Sequence, residues 1–332
     1  MTTSQGDTAH RGGQGVGMRV LVTGGAGHLG GAVCRRLVDE RFQVRVLDLD
    51  TPRNRKSIKE MRDGVEVVWG DLTQPDSVRR AMEGVDAVVH LAGLLQPLTE
   101  QKPELARRVN VGGTRTLLNV TRERGDRIRF IFTSSAAVFG ACPDATGCLH
   151  PDRNPCHPTT VYAETKVQAE DLVRESGVDY LILRLTSIPY LSISLTEMKT
   201  HMYSISLKNR LEFCHPDDAA LAILNAVMNF DKVKGKTLVI GGGPSQQMHY
   251  EDMVRAALGT FGLPLPPPRR FTREPFPLHW YDTTESQDLL AYQTKTLDDY
   301  STDLARQMPA PMVVLMRRFI GPVFGKLIVR LL

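Results

Sequence analysis

Apolar residues recur along this chain in short runs, separated by longer stretches in which they return every three or four positions. The first run, 18–23 (Met-Arg-Val-Leu-Val-Thr), ends in the glycine-rich stretch 24–30, and a helix-period segment follows with Ala32, Val33, Leu37 and Val38. A second run, 44–49, closes on acids, so the opening reads strand, glycine turn, helix, strand. The alternation continues with strands predicted at 65–69, 87–92, 128–133 and 180–185 and helices at 75–84, 103–124 and 160–175. Near-continuous apolar strands alternating with amphipathic helices predict a doubly wound α/β parallel sheet, covered on both faces. Past residue 186 the pattern is irregular. A helix is expected over 216–230, a strand over 237–240, a helix over about 250–262 and a stiff proline connector over 263–268.

The expected organisation is a flexible leader at 1–17, a dinucleotide-binding Rossmann domain at 18–185, a small substrate lobe at 186–310 partly interleaved with it, and a basic apolar tail at 311–332. A chain of 332 residues suits such a core with a subsidiary lobe. Net charge is +4, and Arg317, Arg318, Lys326 and Arg330 supply all of it, since no acid follows residue 310. So small an excess, gathered at one end, does not point to nucleic acid. Gly321-Pro322 is expected to break the tail into a pair of short basic amphipathic helices, for which a membrane surface, the main body and a partner subunit are alternative destinations. Five cysteines without paired spacing, and an N-terminus without an apolar signal core, indicate a reducing, cytoplasmic setting. Cys142, Cys148, Cys156, His150 and His157 crowd one loop, but their spacing is not that of a zinc site, so no metal is expected.

The chemistry begins at Gly24, Gly27 and Gly30. This spacing, between a strand and a helix, lets a pyrophosphate reach the helix N-terminus, where free N–H groups and the dipole favour anions. Asp48 ends the second strand, where a carboxylate accepts the ribose hydroxyls of a dinucleotide and repels a 2′-phosphate. That favours NAD over NADP, although Arg53 and Arg55 follow closely and blunt the repulsion. Tyr162 and Lys166, four residues apart, share a helix face. An ammonium beside a phenol is expected to lower the phenol's pKa toward the range useful for proton transfer. Ser135, at the end of a strand 27 residues earlier, can hydrogen-bond the same substrate oxygen.

These pieces together resemble the extended short-chain dehydrogenase/reductase family, which contains nucleotide-sugar epimerases and dehydratases. They run in order as 23–30 with His28 and Leu29, Asp48, Gly70-Asp71-Leu72, His90-Leu91-Ala92-Gly93, Asn110 to Thr114, Thr133 to Gly140, and Tyr162 with Lys166. A fainter echo extends to His215–Ala219 and to Asp282 with Leu290-Ala-Tyr292. The resemblance implies that Asp71 and Leu72 hold the adenine, that Leu91, Ala92 and Gly93 line the cofactor groove, and that Asn110 supports the active-site architecture. It also implies that Ser135 polarises the reacting oxygen, that Tyr162 is the general acid/base, that Lys166 binds the nicotinamide ribose, and that the protein is a homodimer. Only 25 residues separate Arg184 from Arg210, whereas nucleotide-sugar enzymes of this family place a longer segment there. Their Asn-Pro is here Ser187-Ile-Pro189, and their Tyr before Gly140 is Phe139. The expected activity is therefore hydride transfer between NAD(P) and a secondary alcohol or ketone on a small-molecule substrate, with Met198, Met202 and Tyr203 as candidate pocket residues. An epimerase or dehydratase with transient oxidation, and a non-catalytic dinucleotide sensor, are the alternatives. His215 is read as a structural helix start.

Overall fold

The computed structural model describes residues 17–61, 64–125, 127–142, 144–191 and 202–331, with side chains through Val329. Met198 and nearly all of the leader lie outside them. The elements that build the main sheet are β1 (Arg19–Thr23), α1 (His28–Asp39), β2 (Gln43–Asp48), α2 (Pro52–Lys59), β3 (Val65–Trp69), α3 (Pro75–Met82) and β4 (Ala87–His90). They continue through α4 (Leu98–Gln101), α5 (Pro103–Ala106), α6 (Thr114–Glu123), β5 (Arg129–Ser135), α7 (Val161–Glu175) and β6 (Tyr180–Leu185). Three further strands are β7 (Arg210–Glu212), β8 (Thr237–Ile240) and β9 (Gln247–His249).

Seven strands form one sheet in the order β3-β2-β1-β4-β5-β6-β8, every neighbouring pair parallel. The chain is thus a doubly wound Rossmann fold. Because side chains alternate across a strand, Val20 and Val22 of β1 pack with Leu37 of α1 and Ile223 of the helix Pro216–Met228 on one face. Leu21 packs with Leu117, Phe130 and Phe132 on the other. All of these side chains are buried. Burying one side chain of this size stabilises the fold by about 1.5–3 kcal/mol, so the centre of the sheet is a rigid platform. Strand order reverses between β1 and β4, which opens a crevice at the carboxyl ends of the strands.

The segment after β6 leaves and returns. β8 adds the seventh strand, whereas β7 and β9 pair antiparallel in a separate small sheet. A lobe core of Leu211, Phe213, Tyr250, Phe271 and Tyr300 surrounds that small sheet. Met202 is buried in this core, and Tyr203 packs edge-on against Phe271 with Arg270 over its ring. Both take part in the packing of the lobe. His215 caps the helix Pro216–Met228, its Nδ1 accepting from the Asp217 N–H at 3.1 Å.

The tail differs from the expectation. Gly321-Pro322 does not break it: Ala310–Leu315, Met316–Ile320 and Gly321–Leu331 form one uninterrupted helical rod. The turn before the proline is widened, so that the Gly321 N–H reaches the Met316 carbonyl, five residues back. That widening takes up the room a proline ring needs, and Pro322 has no N–H to leave unpaired.

Candidate active site

The crevice between β1 and β4 is built from backbone brought close. Gly24 has φ +73°, and a Cβ there would lie 2.9 Å from the backbone of Ala92. A Cβ on Gly30 would lie 2.2 Å from the Gly24 carbonyl oxygen, so α1 starts hard against the loop. Gly27 is the N-cap of α1; no side chain caps this end and no acid occupies its first turn. His28, Leu29 and Gly30 thus open a helix whose first N–H groups and positive dipole end suit a pyrophosphate. Asp48 stands at the end of β2 with its carboxylate accepting from the N–H groups of Ala26 and Leu49 and from Asn54 Nδ2, at 2.9–3.0 Å. Burial pushes its pKa up, and the backbone bonds oppose the rise. Three bonds leave acceptor capacity for a ribose hydroxyl. Arg55 is paired with a different acid. Its guanidinium clasps Asp50 at 2.5 and 2.7 Å and lies over Trp69. Asp71 is fixed by the N–H and hydroxyl of Thr73, both at 2.8 Å, and Leu72 is buried beneath Gly113.

Leu91, Ala92 and Gly93 line the crevice opposite the glycine loop. Behind them Asn110 is buried, its Oδ1 accepting from the Leu94 N–H at 2.7 Å and its Nδ2 donating to the Leu94 carbonyl and to Thr165 Oγ1. It ties the loop after β4 to α7. A Cβ on Gly93 would lie 3.2 Å from Asn110 Oδ1 and 3.7 Å from Lys166 Nζ, so the groove floor and the lysine converge.

Helix α7 carries Tyr162 and Lys166. Thr160 caps it, accepting from the Ala163 N–H, and its buried face runs Ala163, Lys166, Ala169, Glu170 and Val173. Two of these positions are charged, which is costly in a core unless each is partnered. Lys166 Nζ donates to the Thr133 carbonyl at 2.9 Å, and the Thr133 hydroxyl in turn donates to the His90 carbonyl. His90 bridges Thr23 and Thr114 at 2.8 and 2.9 Å; burial and the Lys166 charge hold its pKa down at about 3, so the ring is neutral. Glu170 receives Arg184 through Oε1 and Oε2 at 3.0 and 2.8 Å and Arg174 at 2.6 Å, all but closed to solvent. Burial works to raise the Glu170 pKa, but the Arg184 contacts prevail and hold it below the ordinary value.

Ser135, at the end of β5, accepts from the Ala137 N–H at 3.2 Å, and its hydroxyl is near enough to the Tyr162 phenol to favour the ionised form. Lys166 lies 5.9 Å from the Tyr162 ring centre. The three sequence-predicted side chains therefore meet at one point. Their electrostatics differ from the expectation. Burial pushes the Tyr162 phenol up to about 12 despite the Ser135 hydroxyl nearby, and lowers Lys166 to about 8 despite Glu170. Desolvation dominates at both groups, and neighbouring Tyr190 adds to the rise at Tyr162. At neutral pH the phenol holds its proton.

Two features carry no local sequence signal. Glu100, on α4, accepts from the N–H groups of Val161 and Tyr162 at 3.1 Å each and so pins the first turn of α7. Tyr190 stacks on His28, ring centres 4.4 Å apart, across the mouth of the groove. The chain carries both through long-range closure, and only the fold brings 100 to 162 or 28 to 190.

Fold, glycine loop and Ser-Tyr-Lys cluster define a protein of the short-chain dehydrogenase/reductase class. The model of the NAD dependent epimerase/dehydratase family matches residues 20–241, and the chain belongs to that family. It is 34% identical over 190 residues to a D-erythronate dehydrogenase of Cupriavidus necator, covering 52% of this chain and 55% of that protein. A 3 beta-hydroxysteroid dehydrogenase/Delta 5-->4-isomerase of Mycobacterium tuberculosis is 33% identical over 174 residues, with 49% and 44% covered. The chain thus spans about half the length of the curated relatives it matches. Among solved structures, UDP-glucuronic acid 4-epimerase from Bacillus cereus superposes with a TM-score of 0.73 at 20% identity, over 87% of this chain and 98% of that one. At that identity the likeness is one of fold.

Proposed function

We propose that this protein is an NAD-dependent oxidoreductase acting on a secondary alcohol or ketone of a small molecule. The observation that carries this reading is the Tyr162 phenol, with Ser135 and Lys166 beside it, at the end of a groove made of uncapped helix N–H groups. Nicotinamide, when bound, supplies the hydride donor or acceptor. Ser135 orients and polarises the substrate oxygen. Tyr162, protonated at neutral pH, delivers a proton to that oxygen in the reductive direction and recovers it in the other. Lys166, which donates to the Thr133 carbonyl and lies near Gly93 at the groove floor, would take the ribose of the nicotinamide. Asp48 would select NAD, its carboxylate accepting the adenosine ribose hydroxyls and repelling a 2′-phosphate, while Arg55 pairs with Asp50. The short interval 185–209 and relatives named as dehydrogenases support exchange of the cofactor at each turnover over its retention in an epimerase cycle. The reading extends to a homodimer through α6 and α7, which light scattering tests.

Tyr162→Phe should keep nucleotide binding and lose about 10²- to 10⁴-fold in turnover. Wild-type turnover in that variant would overturn the mechanism. Denaturing the purified protein and weighing the released nucleotide tests the cofactor cycle. Reversible binding of added NAD supports a dehydrogenase, and stoichiometric retained NAD transfers the reading to an epimerase or dehydratase.

A further inference from the structure

The helical rod 310–331 rests on the lobe along one narrow edge. Val313 and Val329 are buried there, and a Cβ on Gly321 would lie 2.3 Å from the Gly262 carbonyl oxygen. Gly325 sits as close to Pro264, where a Cβ would lie 2.8 Å from the ring. Arg317 Nε donates to the Thr260 carbonyl at 2.6 Å, and Arg270 donates to the Val329 carbonyl at 2.5 Å. Small residues on the contact edge let the backbone approach closely, so the rod is held in place and its remaining surface faces away from the body.

That surface is apolar. Met312, Leu315, Phe319, Val323 and Leu327 follow at three- and four-residue spacing and form one stripe, each 47–70% exposed, with Phe324 at its flank. Elsewhere among the described residues, large exposed apolar side chains are the scattered Leu49, Leu95 and Tyr190. Such a concentration marks an interaction surface. Its charge selects the partner. Arg318 and Lys326 are exposed beside the stripe, and no acid occurs from residue 304 to 332. Packing two copies of this face together would set like charges against one another in an apolar contact. A neutral groove on another protein would leave the cations without counter-charge. An anionic bilayer meets both needs, because acyl chains receive the stripe while phosphates receive Arg318 and Lys326. Among the described residues no helix is long and apolar enough to cross a membrane.

We propose that the exposed face of helix 310–331 lies in the plane of an anionic phospholipid bilayer surface and seats the lobe on it. The inference is independent of the enzymatic reading. The test is flotation of the full chain with phosphatidylcholine vesicles, with and without phosphatidylglycerol. Binding is expected to the anionic vesicles and to weaken with added salt. Arg318→Gln with Lys326→Gln should lower that binding by about tenfold or more. Phe319→Glu with Phe324→Glu should abolish it, with thermal unfolding and nucleotide binding unchanged. A readout without variants is trypsin cleavage after Arg318 and Lys326, which anionic vesicles should suppress. Three results would each overturn the proposal: no flotation and no protection, equal binding to neutral vesicles, or a self-associated species in light scattering that Phe319→Glu dissolves.

Discussion

The cofactor crevice and the C-terminal lobe face the same difficulty, irregular backbone close to a working surface, and solve it in opposite ways. The crevice removes side chains. Gly24, Gly27 and Gly30 let backbone approach backbone, and the N–H groups left over become the binding chemistry. The lobe adds side chains. Glu212, fully buried on β7, accepts from the N–H groups of Gly243 and Tyr281 and from Gln247 Nε2 at 2.9–3.1 Å. Asp218 similarly receives the N–H groups of Thr294 and Lys295 and the Thr294 hydroxyl. One region is specified by a local motif, and the other by acceptors that gather loops from far along the chain. The lesson is that backbone exposed for function needs no partner of its own, whereas backbone buried for support needs one on every N–H.

The largest effect is expected inside the main domain, between α7 and β6. Glu170 holds Arg184 of β6 to α7, and Glu170→Ala leaves that guanidinium buried without an anion. Unfolding free energy should fall by about 3–5 kcal/mol, read by urea denaturation; a loss below half of that would mean solvent reaches the site freely. Next comes a crossed pair that separates the two regions. Glu212→Ala should cost about 1–3 kcal/mol for each N–H it orphans and raise hydrogen exchange around 241–249 and 279–283, with nucleotide affinity kept. Gly30→Ala should do the reverse, weakening nucleotide binding by tenfold or more through its clash with the Gly24 carbonyl while lobe exchange stays unchanged. Parallel losses in both variants would dissolve the distinction.

The smallest effect concerns Glu100. Burial works to raise its pKa, but the N–H groups of Tyr162 and Val161 dominate and hold it below the ordinary value. A depressed carboxylate binds fewer protons folded than unfolded, so its contribution is complete above the ordinary carboxylate range and vanishes as pH falls through the folded pKa. The site is exposed, so screening limits the difference between wild type and Glu100→Gln to about 0.3–1 kcal/mol near neutrality. Unfolding measured across the acid range should show the two curves converge as pH falls. A gap that persists would mean Glu100 acts through packing.

By itself the sequence determined the sheet and named the residues of the candidate site. Alternating apolar runs such as Val20-Leu-Val22 can only be satisfied with helices on both faces, and the glycine spacing, Asp48, Ser135, Tyr162 and Lys166 are identities that no neighbour changes. The tertiary structure alone decided what those identities do electrically. Whether a phenol beside an ammonium falls in pKa depends on how much water remains around it, and here burial sets Tyr162 up to about 12. It also decided what Glu100, Glu170 and Glu212 hold, and that the rod through Gly321-Pro322 stays whole. Periodicity is a local property and survives in sequence. Desolvation and hydrogen-bond partnership are properties of the folded surroundings, assembled from residues tens of positions apart, and exist only once the chain has closed.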